Sequence, residues 1–323
     1  MHPAFSVIFL TTLLGVGQGL FLALFSSQAY SVVNVLPAQL GSYYALGGLI
    51  ALIFLIGGLI ASVFHLGHPE RAWRAAAMWR TSWLSREVIA LPITMGAIAL
   101  YALVNWLDID ADLFGLGLPG QVALSIGAFG VVASIALFAC TAMIYAAIKF
   151  LQEWASPLTL ANYFLLGTAS GFSFATAFAA VSAPELTPFY GGWAITLTLA
   201  GMLTRIGSLY RNAKIKQKSS VQTAIGVRHN KVRQGSMGMM GGSYNTREYF
   251  HGRTAAFLKS VKWIFLVLVF PIPVLLLWAG LAQNSAALLM LAFGVQYVGL
   301  LFERWFFFAQ ANHPQNLYYQ VVG

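Results

Sequence analysis

Long apolar runs alternate with short polar stretches along the whole chain. A membrane-spanning helix needs about 20 mainly apolar residues, and eight runs reach that length. They cover approximately residues 4–26, 42–64, 87–107, 122–148, 160–181, 191–210, 261–281 and 286–308. The first run has no charged leading segment and no small-residue cleavage site after it, so we expect a retained helix and not a signal peptide. The pattern predicts an all-α integral membrane protein with eight transmembrane helices.

The composition agrees with this prediction. Of the 323 residues, 59% are hydrophobic and only 8% are charged, and the mean hydropathy is +0.75. Such values are typical of polytopic membrane proteins and argue against a separate soluble domain. We therefore expect residues 1–323 to form a single membrane domain with one long polar loop at about 211–260.

All 18 basic residues fall on one side of an eight-helix arrangement. They occupy the connections 65–86, 149–159 and 211–262, and the last two, Arg205 and Arg304, lie near helix ends on that side. The opposite connections carry acidic residues and no Lys or Arg: Asp108, Asp110, Asp112 and Glu185. Because Lys and Arg mark cytoplasmic connections, we expect both termini to be cytoplasmic. The net charge of +9 is then mainly a topology signal, and no nucleic-acid-binding motif accompanies it.

The 211–260 loop contains a Gly- and Met-rich stretch, 235–243, followed by aromatic residues and an arginine in 244–251. Glycine-rich runs do not form regular structure alone, so a flexible solvated loop is one interpretation. A docking surface for a partner subunit is the other, because Met, Tyr, Phe and Arg are enriched at protein interfaces. Elsewhere, the pairs Gly15/Gly19 and Gly167/Gly171 have the spacing for close helix packing.

The chain offers few ligands for an electron carrier of its own. Its single cysteine, Cys140, cannot form a disulfide within the chain or hold an iron–sulfur cluster. No CxxCH motif occurs, and none of the six histidines lies in the middle of a predicted helix: His2, His65, His68, His229, His251 and His313. We therefore expect neither haem nor an iron–sulfur cluster in this chain.

A small-molecule transporter is a second class to consider. Transporters usually place ionisable side chains near the middle of the membrane. The predicted helices have them only near their ends, and Gln18 and Gln296 are the notable polar side chains at depth. A channel for a neutral substrate stays open, without positive support.

The polar stretch from His65 to Glu87 is the strongest candidate site. A quinone head group needs hydrogen-bond partners and proton exchange, which a histidine and a partly desolvated carboxylate can supply. We expect Arg71 and Arg86 to orient the loop or polarise the head group, and Gln18 to face the ligand. Three tryptophans, 73, 79 and 83, could wall the site or form an interfacial belt. The arginines as topology signals and Glu87 as a favourable helix-start charge remain alternatives.

The same stretch resembles the DmsC family of membrane-anchor subunits. The resemblance rests on His65-Leu66-Gly67, Pro69-x-Arg71-Ala72 and Ser82-x-Leu84-Ser85-x-Glu87. It implies a complex with a molybdopterin catalytic subunit and a ferredoxin-like iron–sulfur subunit, held to the membrane by an anchor that exchanges electrons with ubiquinone or menaquinone. By this resemblance the chain is a subunit of a molybdenum oxidoreductase without the catalytic centre. His65 and Glu87 match the expected quinone-site positions, and Gln18 matches more loosely.

Two segments differ from the reductase pattern and bear on the direction of electron flow. The 211–260 loop and the tail 312–319 look more like the anchor of cytoplasmic sulfite dehydrogenase (quinone) complexes. That resemblance implies sulfite oxidation with quinone reduction, whereas a dimethyl sulfoxide reductase-type complex would oxidise menaquinol. In either case the expected partners are the two soluble subunits and membrane lipid, at the cytoplasmic side of a bacterial inner membrane.

Overall fold

A computed structural model describes residues 2–64, 66–111, 120–216, 218, 220, 222–223, 226–227, 229 and 251–314. Every regular element within these residues is helical. The α-helices are α1 (Phe5–Val32), α2 (Gly41–Val63), α3 (Trp83–Trp106), α4 (Gln121–Ala146), α5 (Pro157–Ser182), α6 (Thr187–Ala213), α7 (Ala255–Val269), α8 (Pro271–Ala282) and α9 (Ala286–Ala309). Short 3-10 helices span Pro69–Met78 and Pro184–Leu186. The prediction of an all-α protein is confirmed.

Seven helical stretches of the described residues are long and apolar enough to cross a membrane. One of them, Ala255–Ala282, combines α7 and α8, which are separated at Phe270 just before Pro271. A proline cannot donate the backbone hydrogen bond that would continue a helix, so it interrupts the run there. Each of the eight predicted runs coincides with one of these seven stretches or with α6.

Helix α6 is the predicted run that is not among the seven. It has 27 residues, which at 1.5 Å per residue gives roughly 40 Å, enough to span a bilayer. Its composition is less apolar because it contains Arg205 and several threonines. Its length fits the predicted sixth span, but its hydropathy does not set it apart from a buried helix. Most of the predicted 211–260 loop, including the 235–243 stretch, lies outside the described residues.

Helix α1 is the centre of the bundle and packs against α2, α4, α5 and α9. The predicted close approach of the glycine pairs is confirmed at the α1–α5 contact. A Cβ added at Gly15 would lie 3.1 Å from the Cα of Gly167, and one added at Gly19 would lie 2.5 Å from the carbonyl oxygen of Gly167. Only glycine permits the two backbones to approach this closely.

The connection from α2 to α3 is built from local signals. Pro69 starts the 3-10 helix at a position where its missing N–H is not needed. The Ser82 side chain caps α3 by accepting a hydrogen bond from the Ser85 N–H at 3.4 Å. These two turns bring the end of α2 and the start of α3 to one end of the bundle, beside the first turns of α1.

Candidate functional site

A cavity of about 460 Å³ lies where α2 ends and α3 begins. Helix α1, the end of α2, the 3-10 helix Pro69–Met78 and the first turns of α3 enclose it. Its lining is Leu10, Leu59, Ser62, Val63, Leu66, Pro69, Ala72, Trp73, Ala75, Leu84, Glu87, Val88, Leu91, Pro92 and Met95. Apart from Ser62 and Glu87 these side chains are apolar or aromatic, a composition typical of sites for small organic ligands. We call this cavity the α2–α3 pocket.

Several lining side chains are exposed on the outer surface of the bundle. Leu59 and Val63 of α2 and Leu84 of α3 have exposed fractions of 42%, 44% and 51%. If α2 and α3 cross the membrane, these residues face lipid, so a lipid-soluble molecule could enter the pocket from the side. An apolar tail could remain in lipid while its polar end sits among the pocket residues.

Glu87 is the single carboxylate of the pocket lining and is buried, with an exposed fraction of 7%. The Thr141 hydroxyl on α4 donates a hydrogen bond to its Oε1 at 2.5 Å. No described residue forms a hydrogen bond with Oε2. Glu87 thus has one oxygen fixed from the protein side, and its second oxygen is available to a ligand.

The other predicted site residues of the 65–87 stretch take different positions. His65 lies outside the described residues, between Phe64, which is exposed, and Leu66, which lines the pocket. Arg71 does not line the pocket: its Nε lies 3.7 Å from the carboxylate of Glu70, and both side chains are exposed. The structure therefore does not bring Arg71 to Glu87, because it lies on the outer face of the 3-10 helix.

Arg86 connects the 3-10 segment to α3. Its Nε donates to the Trp79 carbonyl at 2.9 Å, and its Nη2 donates to the Arg80 carbonyl at 2.8 Å. Its guanidinium carbon lies 4.2 Å from the centre of the Trp83 ring, a favourable cation–π arrangement. Arg86 is thus placed to hold the loop in position and not to reach into the pocket. Of the three tryptophans considered as a wall, only Trp73 lines the pocket.

Gln18 lies behind Glu87 and not inside the α2–α3 pocket. It is buried, its Nε2 donates to the Leu14 carbonyl at 3.1 Å, and its Oε1 has no hydrogen-bond partner within the described structure. It lines a second, internal cavity of about 10 Å³ together with Thr141, Tyr163 and Arg304. That volume is close to the minimum of roughly 10–15 Å³ that one water molecule needs. Thr141 therefore lies between the pocket carboxylate and a polar space of the size of one water.

A buried ion cluster borders the same internal cavity. Arg205 Nε lies 2.8 Å from Glu303 Oε1, and Arg304 Nη1 lies 3.2 Å from Glu303 Oε2. All three side chains are at most 4% exposed, and the Arg304 guanidinium lies 3.7 Å from the centre of the Tyr163 ring. The interpretation of Arg205 and Arg304 as topology charges at helix ends is therefore incomplete, because both are buried partners of one carboxylate.

Sequence reasoning did not identify Thr141, Tyr163 or this ion cluster. Thr141 is one of several small polar residues in α4, and it gains a role only because α3 packs against α4. Within the described residues, no group of three His, Cys, Asp or Glu side chains comes together as a set of metal ligands.

The fold and the pocket define a polytopic helical membrane protein with an apolar pocket at one end of its bundle and a single carboxylate in the pocket wall. The chain belongs to the DmsC family: the model described as DMSO reductase anchor subunit (DmsC) matches residues 1–319. It is also 58% identical, over 325 residues that cover 100% of both chains, to a sulfite dehydrogenase subunit of Allochromatium vinosum. The predicted family resemblance and its sulfite dehydrogenase variant are confirmed.

Proposed function

We propose that this chain is the quinone-binding membrane anchor of a molybdopterin and iron–sulfur oxidoreductase. It passes electrons between an iron–sulfur cluster of a partner subunit and the membrane quinone pool. The observation that carries the proposal is the α2–α3 pocket, in which one buried carboxylate, Glu87, faces an otherwise largely apolar space. Residues of the motif that resembles the family's line this pocket, including Leu66, Pro69, Ala72 and Leu84.

The residues fit a quinone in size and in chemistry. Ligand pockets of this kind range from about 300 to 1,000 Å³, and the volume of about 460 Å³ accommodates a substituted aromatic ring. The bound quinone supplies two-electron chemistry that is coupled to two protons. The apolar wall excludes water, and the exposed side chains of α2 and α3 leave a route for an isoprenoid tail.

Glu87 holds or releases one proton at its Oε2, while Thr141 keeps Oε1 in a fixed orientation. A general acid or base must lie within hydrogen-bond reach of the atom it serves, and a carboxylate in the pocket wall meets that condition for a ligand carbonyl. His65 is the second proton-exchange candidate, from its place in the sequence. Arg86 acts on the loop that carries these residues, and Gln18 acts from behind Thr141, not on the ligand.

Sulfite oxidation with quinone reduction is the direction that the comparisons favour. The 58% identity to a sulfite dehydrogenase subunit extends over the entire chain, so the partner contacts of that relative have room to be retained here. The alternative is an anchor that oxidises menaquinol for a dimethyl sulfoxide reductase-type complex, which the description of the matching family favours. The pocket chemistry is the same in both directions.

The proposed topology places eight spans in a bacterial inner membrane, with α6 as the sixth span. Both termini and the basic connections then face the cytoplasm, where a molybdopterin subunit and a ferredoxin-like subunit dock. In this arrangement the chain is one membrane-anchor domain, and the 211–260 loop and the tail 312–319 contact the partners.

A comparison of two electron acceptors tests the proposal. In the intact complex, Glu87→Gln keeps the size of the side chain but removes its exchangeable proton, so sulfite-dependent quinone reduction should fall at least tenfold. Reduction of a soluble dye at the catalytic subunit should not change. Glu185→Gln, at an exposed carboxylate of the Pro184–Leu186 segment, is the matched control. Unchanged quinone kinetics in Glu87→Gln would remove this residue and its pocket from the mechanism.

A further inference from the structure

A second groove, of about 310 Å³, lies on the opposite flank of the first turns of α1. We call it the α1–α7–α9 groove. Its lining is Phe5, Ile8, Phe9, Arg253, Phe257, Val261, Val298, Leu301, Phe302 and Trp305. Nine of these ten side chains are apolar or aromatic, and Arg253 is the one cation. Helices α1 and α7 begin beside the groove, and α9 ends there, so it lies at one end of three apolar stretches.

The groove opens outward from the bundle. Phe5, Phe9, Phe257, Val298 and Phe302 have exposed fractions between 37% and 68%. An apolar surface of this kind beside three apolar helices can hold a hydrocarbon chain that lies parallel to them. A soluble polypeptide would need hydrogen-bond partners for its backbone, and apart from Arg253 these walls supply none.

The cation at the groove has no counter-ion within the described structure. Arg253 lies two residues before the apolar stretch Ala255–Ala282 begins, so it occupies the end of the span where lipid head groups lie. Lys259 and Lys262 follow in the next two turns of α7, and none of the three forms a salt bridge to a described carboxylate. Basic side chains near the membrane surface attract anionic lipids with about 1 kcal/mol each.

The position of Arg253 is set by an aromatic corner. Its backbone N–H donates to His251 Nδ1 at 3.0 Å, and its guanidinium carbon lies 5.5 Å from the centre of the Phe257 ring. Phe257 and His251 both make edge-on contacts with Trp305, with ring centres 5.5 and 6.4 Å apart. Burial lowers the pKa of His251, so this histidine is neutral at pH 7 and the permanent charge of the corner is that of Arg253.

We propose that the α1–α7–α9 groove binds an anionic phospholipid, with an acyl chain against Phe9 and Phe302 and the phosphate beside Arg253. The apolar walls and the single cation match the two parts of such a molecule at the expected spacing, one end in the span and one at its boundary. This site is separate from the α2–α3 pocket and does not depend on its proposed role.

Native mass spectrometry of the intact complex, titrated with phosphatidylglycerol or phosphatidylcholine, tests the proposal. We expect preferential retention of phosphatidylglycerol, and a loss of that preference of about fivefold in Arg253→Gln. Val298→Trp, which fills the groove and keeps the charge, should also reduce retention of phosphatidylglycerol. Lys149→Gln, at an exposed cation of the α4–α5 connection that does not line the groove, should leave binding unchanged.

Several outcomes would overturn the proposal. Equal binding of both lipids by the unmodified complex would remove the role of charge. Displacement by glycerol phosphate alone would show a head-group site that makes no use of the groove. Displacement by a quinone analogue would assign the groove to a second quinone, and dissociation of a soluble subunit in Arg253→Gln without a change in bound lipid would assign this face to a protein contact.

Discussion

The hydroxyl of Thr141 lies 2.5 Å from the carboxylate of Glu87 and joins α4 to the wall of the α2–α3 pocket. Both residues are buried, with exposed fractions of 4% and 7%. On its other side Thr141 lines the internal cavity that contains Gln18 and Tyr163. The orientation of the carboxylate in the pocket is thus set by a residue that does not line the pocket itself.

Thr141→Val should impair quinone reduction without affecting the catalytic subunit. The substitution keeps the shape of the side chain and removes its hydrogen bond to Glu87. A buried hydrogen bond to a charged group contributes about 1.5–3 kcal/mol, so we expect turnover with quinone to fall roughly tenfold or more. Thr141→Ser, which restores the hydroxyl, should recover most of the activity. Equal activity of the Val and Ser variants would show that the hydrogen bond has no role in turnover.

Filling the α2–α3 pocket should weaken quinone binding. Ala72 lines the pocket from the 3-10 helix, whereas the nearby Ala76 does not. Adding a large side chain to an occupied space typically costs ~1–3 kcal/mol, so Ala72→Phe should raise the KM for quinone roughly fivefold or more. Ala76→Phe is the matched control and should leave the KM within about twofold of the unmodified complex. Similar KM values for the two variants would place the quinone elsewhere.

Loss of the Arg86 hydrogen bonds should loosen the 3-10 segment. In Arg86→Gln the carbonyls of Trp79 and Arg80 lose their guanidinium donor. Because these contacts are exposed to solvent, we expect a moderate rise of about two- to fivefold in the KM for quinone. Hydrogen exchange of amides in 69–80 should also become faster. Unchanged exchange in this segment would contradict the positioning role of Arg86.

The buried ion cluster should be important for stability and not for the quinone reaction. Glu303→Gln leaves Arg205 and Arg304 buried without their shared carboxylate. Breaking a buried ion pair from one side typically costs about 3–5 kcal/mol. We expect a clear fall in the unfolding temperature of the purified complex, with Glu185→Gln as the exposed control. An unchanged unfolding temperature would show that the cluster contributes little.

The sequence predicts the helices well because apolar length is a local property. All eight runs coincide with helical stretches, and the α1–α5 glycine contact follows from spacing alone. Burial is not local: Arg205 and Arg304 are counted as surface charges until α6 and α9 are seen to place them around Glu303. A rule that counts charges by position along the chain cannot report which way a side chain faces.

The candidate site shows the same division. The 65–87 stretch contains pocket residues, and Glu87 lies in the pocket wall. Arg71 lies on the outer face of the 3-10 helix, which has a different periodicity from an α-helix and was not predicted. Gln18 lies behind Thr141 and not in the pocket, and Thr141 itself is 54 residues from Glu87 along the chain. Neither relationship can be read without the packing of α1, α3 and α4.

Photoaffinity labelling of the intact complex with an azidoquinone tests the central claim most directly. If the α2–α3 pocket binds quinone, the label should be found in peptides from 59–95, and excess quinone should prevent its incorporation. Labelling should also decrease in Ala72→Phe and remain in Ala76→Phe. Competable labelling confined to other segments, such as 255–309, would contradict the assignment of the quinone site to Glu87 and its pocket.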